Sequence, residues 1–110
     1  MTPDAFVYQT LLESGIPGTK VAYPEGNAPP LPWFVYLKRR GGDLFADNVN
    51  HAKLQRYRVE LLQASNDPDV QARLEAAIAK IGPYTSYETW VPTERCVMTT
   101  YDFTYHFEQE

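Results

Sequence analysis

LQRYRVELLQASNDPDVQARLEAAIAKI, residues 54–81, reads as a strand, a turn and a helix. In its first part Tyr57, Val59 and Leu61 fall on one side of an extended chain and Arg56, Arg58 and Glu60 on the other, the period of a half-buried β-strand. Ser65, Asn66 and Asp67 have short polar side chains that bond nearby backbone groups and favour a turn. Pro68 has the fixed φ suited to a first helical position, which makes Asp67 the N-cap. Beyond it Val70, Leu74, Ala77, Ile78 and Ile81 recur at helical spacing, with Gln71, Arg73, Glu75 and Lys80 opposite, until Gly82 and Pro83 stop the helix.

Upstream, Thr2, Pro3 and Asp4 form a second helix start: a capping hydroxyl, a proline at the first helical position and a carboxylate facing the positive end of the helix dipole. That helix is expected to run to about Glu13, with Phe6, Val7, Tyr8, Leu11 and Leu12 as a wide apolar stripe and Gly15 as its left-handed terminator. Residues 16–32 hold most of the prolines and read as an ordered, extended arm, in which only Lys20 to Tyr23 has the make-up of a short edge strand. WFVYL, residues 33–37, is apolar on both faces, so it belongs in the middle of a sheet or under a neighbouring subunit. Lys38, Arg39, Arg40, Gly41 and Gly42 follow, and then a long loop from Asp43 to Asn50.

Downstream, Tyr84 to Val91 reads as a third strand, Pro92 to Arg95 as a turn and Cys96 to Phe107 as a fourth strand. The last alternates cleanly: Val97, Thr99, Tyr101, Phe103, Tyr105 and Phe107 share one face, and Met98, Thr100, Asp102, Thr104 and His106 the other. The order α-β-β-α-β-β predicts an α+β fold, a mainly antiparallel four-stranded sheet with two helices packed on one face and each adjacent strand pair forming a hairpin. The aromatic face of the last strand must then meet Tyr57, Val59 and Leu61 beneath Leu74, Ile78 and Ile81. The opposite face carries Arg56, Arg58, Glu60, Thr100, Asp102 and Thr104, with charges placed to pair across strands. It is either a solvated face or the wall of a channel between subunits joined through edge strands or loops.

At 110 residues the chain has room for one cored domain, 1–110, and its 44% hydrophobic and 22% charged residues are ordinary for a folded protein. No stretch is apolar enough to span a bilayer, so no membrane partner is expected. MTPDAFVYQT lacks the basic start and apolar run of a secretory signal, which predicts a protein that stays where it is made. A lone Cys96 cannot form an internal disulfide. A net charge of −4 argues against a general nucleic-acid binder.

The chain has no G-x-S-x-G, no phosphate-cradling G-x-x-x-x-G-K-S/T and no G-x-G-x-x-G after a strand. Cys96 enters a strand without a catalytic signature, and His51 and His106 lie too far apart to suggest a zinc site. Asp67 with Asp69 is explained by helix capping, and Glu108 with Glu110 by a chain end. The reading is therefore of a non-enzyme with no cofactor and no metal. Lys38, Arg39 and Arg40 are the only basic cluster, either a solvated hairpin tip or a contact site. Tyr23 and Phe45 are loop aromatics, placed to anchor a partner or to fold back on the core.

The segments VAYPEG, PPLPWFVYL, the LFADN loop, YRVELLQASNDPDVQARLEAAI and YETWVPTERCVMTTYDFTYHF resemble, in order and spacing, the small tail-completion proteins of tailed phages and prophages. Where many relatives carry an aromatic after the Glu-Leu pair, this chain has LLQASND. The resemblance implies a structural role like that of a tail terminator. Such a protein forms a ring, commonly of six subunits, at the head-proximal end of the tail tube, stops tube growth and meets the head connector. It also implies assembly in the bacterial cytoplasm, residence in the virion tail, and DNA passing through the ring without specific binding. Tyr23, Lys38, Arg39, Arg40, Phe45 and Asp47 are the expected protein contacts. The alternatives are a head-closure or neck protein, or a small ligand- or protein-binding domain with its aromatic sheet face around a pocket.

Overall fold

The structure, a computed structural model, describes residues 2–24, 26–39 and 53–107. These residues form an α+β fold with seven described elements: α1 (Pro3–Leu12), β1 (Gly18–Lys20), β2 (Trp33–Arg39), β3 (Lys53–Gln63), α2 (Pro68–Ala79), β4 (Tyr84–Val91) and β5 (Cys96–Phe107). The strands form one sheet in the order β1-β2-β3-β5-β4.

Both helices start as their sequences dictate. The Thr2 hydroxyl accepts from the Ala5 N–H at 3.1 Å, and the Asp67 carboxylate from the Asp69 N–H at 3.0 Å. Gly15, at φ +83°, ends α1 in the left-handed conformation that only glycine adopts without penalty. Both helices cover the same face of the sheet. Val7 and Leu11 of α1 and Leu74 and Ile78 of α2 are fully buried against Phe34, Tyr57, Val59, Leu61 and Tyr101. Stacked aromatic pairs reinforce this layer: Phe6 on Tyr105 at 5.0 Å, Tyr8 on Tyr36 at 5.3 Å and Tyr57 on Phe103 at 5.8 Å between ring centroids.

The expected strand pairs are present as antiparallel ladders, β2 on β3 and β4 on β5, and β3 joins β5 along eleven residue pairs from Lys53↔Phe107 to Gln63↔Val97. The aromatic face of β5 meets β3 beneath both helices, as its alternation requires. WFVYL lies inside the sheet, between β1 and β3.

The sheet is mainly antiparallel, as expected, but it has five described strands with one parallel pair, which corrects the four-stranded expectation. The extra strand is Gly18–Lys20, paired parallel to β2 in the register Gly18↔Phe34 to Lys20↔Tyr36. It lies two residues before the short strand expected at Lys20 to Tyr23. The cause is local, because Val21 adopts φ +68°, outside the extended region, and ends the strand at Lys20. Gly18 makes the pairing possible: a Cβ there would stand only 2.2 Å from ring atoms of the fully buried Phe34.

Gly18→Ala is accordingly expected to lower unfolding free energy by about 1–3 kcal/mol through overpacking, measured by urea denaturation. The loss should shrink in a Phe34→Leu background, where the obstructing ring is gone, giving a non-additive double-mutant cycle.

Candidate functional site: the open face of the sheet

Both described helices sit on one face; among the described residues the other has no helical layer, and its side chains fall into rungs set by the ladder registers. Trp33, Leu62, Met98 and Thr89 form the first rung, Val35, Glu60, Thr100 and Tyr87 the second, and Leu37, Arg58, Asp102 and Thr85 the third. Arg39, Arg56 and Thr104 form the fourth. The face is therefore apolar at the Trp33 end and charged at the Arg39 end.

Asp102 organises the charged end. The Arg58 guanidinium donates from Nε to Oδ1 at 2.8 Å and from Nη2 to Oδ2 at 3.2 Å, a two-point contact between residues directly opposite each other on β3 and β5. The Arg39 Nη1 approaches the same Oδ1 at 3.6 Å from β2. The bond to Asp102 holds the Arg58 guanidinium above its usual, already high, pKa. Beside this cluster lies a hollow of about 330 Å³ lined by Arg39, Arg56, Thr85, Asp102, Thr104 and His106, with Pro83, Tyr84 and Phe103. Opposite charges on this face were expected to pair across strands, and Arg58 with Asp102 is such a pair; which residues pair, and the recruitment of Arg39, needed the registers.

The basic run does not act as one cluster. Lys38 and Arg39 are successive residues of β2 and point to opposite faces. Lys38 reaches Asp4 on the helix side at 3.7 Å, while Arg39 joins Asp102 on the open side. Tyr23 is half-buried and packs edge-to-face on Trp33 at 5.1 Å, folding the arm back onto the open face. Arg40, Phe45, Asp47 and His51 lie outside the described residues.

A second polar cluster, missed by the sequence reading, fixes the start of α1. The Tyr57 hydroxyl donates to Asp4 at 2.7 Å and Lys20 pairs with it at 3.0 Å. Burial pushes the Asp4 carboxyl up, but the Tyr57 hydroxyl and the ammonium groups of Lys20 and Lys38 outweigh it and hold it below its ordinary value. On the other side of the core, the Tyr101 hydroxyl donates to Glu75 at 2.9 Å. Burial first, and then these carboxylates, push both tyrosine hydroxyls well above their usual range, so Tyr57 and Tyr101 are fixed donors. Cys96 is buried at the start of β5, where burial and then Glu94 push its thiol up, which disfavours the nucleophilic thiolate. Among the described residues, no three His, Cys, Asp or Glu side chains are grouped to hold a metal ion, and no helix is long and apolar enough to cross a membrane. The arrangement is suited to recognition: paired guanidiniums, one carboxylate, and an apolar shelf.

Removing Asp102 leaves two half-buried guanidiniums facing each other, so Asp102→Ala should cost about 1–2 kcal/mol in denaturant unfolding, and Asp102→Asn less. Asp4, lowered in the folded state, contributes stability that is complete above its ordinary value of 3.8 and lost as pH falls below it. Asp4→Asn should therefore be less stable at neutral pH and show a flatter decline below about pH 4, measured by thermal melts across pH.

No protein-family model matches the chain, and no curated protein sequence matches it significantly.

Proposed function

We propose that this chain is a structural tail-completion protein that works as an oligomeric ring, capping the head-proximal end of a phage tail tube and joining it to the head connector. The resemblance of its segments, in order and spacing, to such proteins supports this reading, and so does the α+β architecture with both described helices on one sheet face. A ring of such subunits would turn that face, or its edges, toward neighbours or a central channel. Because Asp102 already neutralises Arg58 and approaches Arg39, the face offers few free cations to hold passing DNA.

The observation that carries the assembly reading is an unguarded edge. β4 is an eight-residue edge strand in which every residue from Thr85 to Trp90 is exposed. It holds no Lys, Arg or Pro, and its one charge, Glu88, is engaged by Asn66 and Gln71. Monomeric proteins blunt such edges with short strands, charges, prolines or bulges, because the free backbone groups otherwise template pairing. A long, aromatic edge without Lys, Arg or Pro is what an assembling subunit needs.

A head-closure or neck protein is the second reading; it shares the edge and differs in the partner, so co-purification with heads rather than tails separates the two. The assembly reading itself is tested by light scattering over a concentration series, with negative-stain images of the largest species, alone and with purified tail-tube protein. A discrete closed ring in either sample is the expected result. A monomer in both overturns the reading.

A further inference from the structure

Among the described residues four large apolar side chains stand exposed, and three of them lie at the two opposite edges of the sheet: Val21, at 61%, just past β1, and Tyr87 and Trp90, at 53% and 55%, on β4. The backbone shows how those edges fit each other. The Phe34 N–H donates to the Pro17 carbonyl at 3.0 Å and the Val21 N–H to the Tyr36 carbonyl at 2.8 Å, so residues 17, 19 and 21 turn their amide groups toward β2. Successive residues of a strand alternate in this direction. Carried through the unbroken registers of β2, β3, β5 and β4, the alternation leaves the amide groups of Gly18 and Lys20 at one free edge. It leaves those of Tyr84, Ser86, Glu88 and Trp90 at the other. The Gly18 and Lys20 carbonyls already accept from the Tyr8 hydroxyl and the Ala22 N–H, and each keeps a second lone pair.

Strand polarity completes the match. β1 runs with β2, and each later neighbour in the sheet reverses direction, so β1 and β4 are antiparallel to each other. Copies standing side by side in the same orientation, as in the ring proposed above, present β4 to the next copy's β1 in antiparallel sense. Only registers that set even-numbered residues opposite even-numbered residues join free amides to free amides. In one of these Lys20 faces Glu88, Thr19 faces Thr89, Gly18 faces Trp90 and Val21 lies beside Tyr87. A shift of two residues one way sets Lys20 opposite Ser86 and Gly18 opposite Glu88. The other way sets Lys20 opposite Trp90 and Gly18 opposite Pro92, which has no N–H to give.

We propose that β4 of one copy pairs antiparallel with β1 of the next copy of this chain, in the register Lys20↔Glu88 and Thr19↔Thr89. The joint sets Thr19 opposite Thr89, and sets Lys20, which also holds Asp4, opposite Glu88, both favourable cross-strand combinations, and it covers Val21 and Tyr87 on the open face and Trp90 on the helix face. The sheet becomes continuous from subunit to subunit, with the helices on one side and the Arg58–Asp102 face on the other. The side-by-side orientation rests on the ring reading; the fit of the two edges does not.

Thr19 and Thr89 form a non-hydrogen-bonded pair in this register, the closest kind of antiparallel pair, where a disulfide fits. Mixing Thr19→Cys protein with Thr89→Cys protein under mild oxidation should give a disulfide-linked dimer of one of each, which neither variant forms alone. The double variant should give a ladder of covalent multimers ending in a closed species. Glu88→Lys should weaken association about tenfold per joint, with circular dichroism confirming that the variant folds. A ring without the Thr19–Thr89 link overturns the joint and leaves the ring reading intact. The link in open multimers without a closed species overturns the ring reading and leaves the joint. A Tyr87→Cys variant that links to itself overturns the joint in favour of β4 pairing with β4.

Discussion

The register of β3 against β5 is the constraint on which the rest of this structure depends. It sets Tyr57 beside Phe103, Val59 beside Tyr101 and Leu61 beside Thr99 on the face that both helices cover. It also sets Arg58 beside Asp102 on the face they leave open. Side chains alternate with period two, so a slip of one residue would exchange the faces. Arg58 and Glu60 would then enter the aromatic core, and Tyr57 and Val59 would turn to water. An apolar layer on one face and a paired charge on the other therefore enforce the same alignment from opposite sides.

The first helix is tied to that ladder by polar contacts as well as by packing. Asp4 lies in the first turn of α1, where the helix dipole favours a carboxylate, and it receives the hydroxyl of Tyr57 from β3 and the ammonium of Lys20 from β1. One carboxylate thus links the helix start, the sheet centre and the sheet edge. Tyr101 and Glu75 do the same for α2. In each case a buried tyrosine would be costly without a partner for its hydroxyl, and a helix carboxylate supplies one.

The two edges of the sheet are treated differently. β1 has three residues and ends where Val21 leaves the extended region; β4 has eight, and its six inner residues are all exposed. An isolated monomer would be expected to guard the longer edge, and here it is unguarded. That asymmetry, rather than any cleft or cluster of reactive groups, is the feature of the described residues that most directly calls for a partner.

Periodicity alone determined much of this protein. The alternation of residues 57–61 and 97–107, the 3.6-residue stripe after Pro68 and the caps at Thr2, Asp67 and Gly15 place both helices, four strands and the helix-covered face, because each is a local preference written in neighbouring residues. That Arg58 and Asp102 share a face was legible for the same reason, while the register alone sets them opposite each other. The tertiary structure decided the rest. Gly18–Lys20 is too short to have a period of its own and becomes a strand only because Gly18 fits against Phe34 and β2 offers free amides. Lys38 and Arg39 look like one basic cluster in the sequence, but the pleat sends them to Asp4 and Asp102 on opposite faces. The match between the β1 and β4 edges exists only once four registers are combined, because amide direction at an edge is inherited strand by strand across the whole sheet and no single segment carries it.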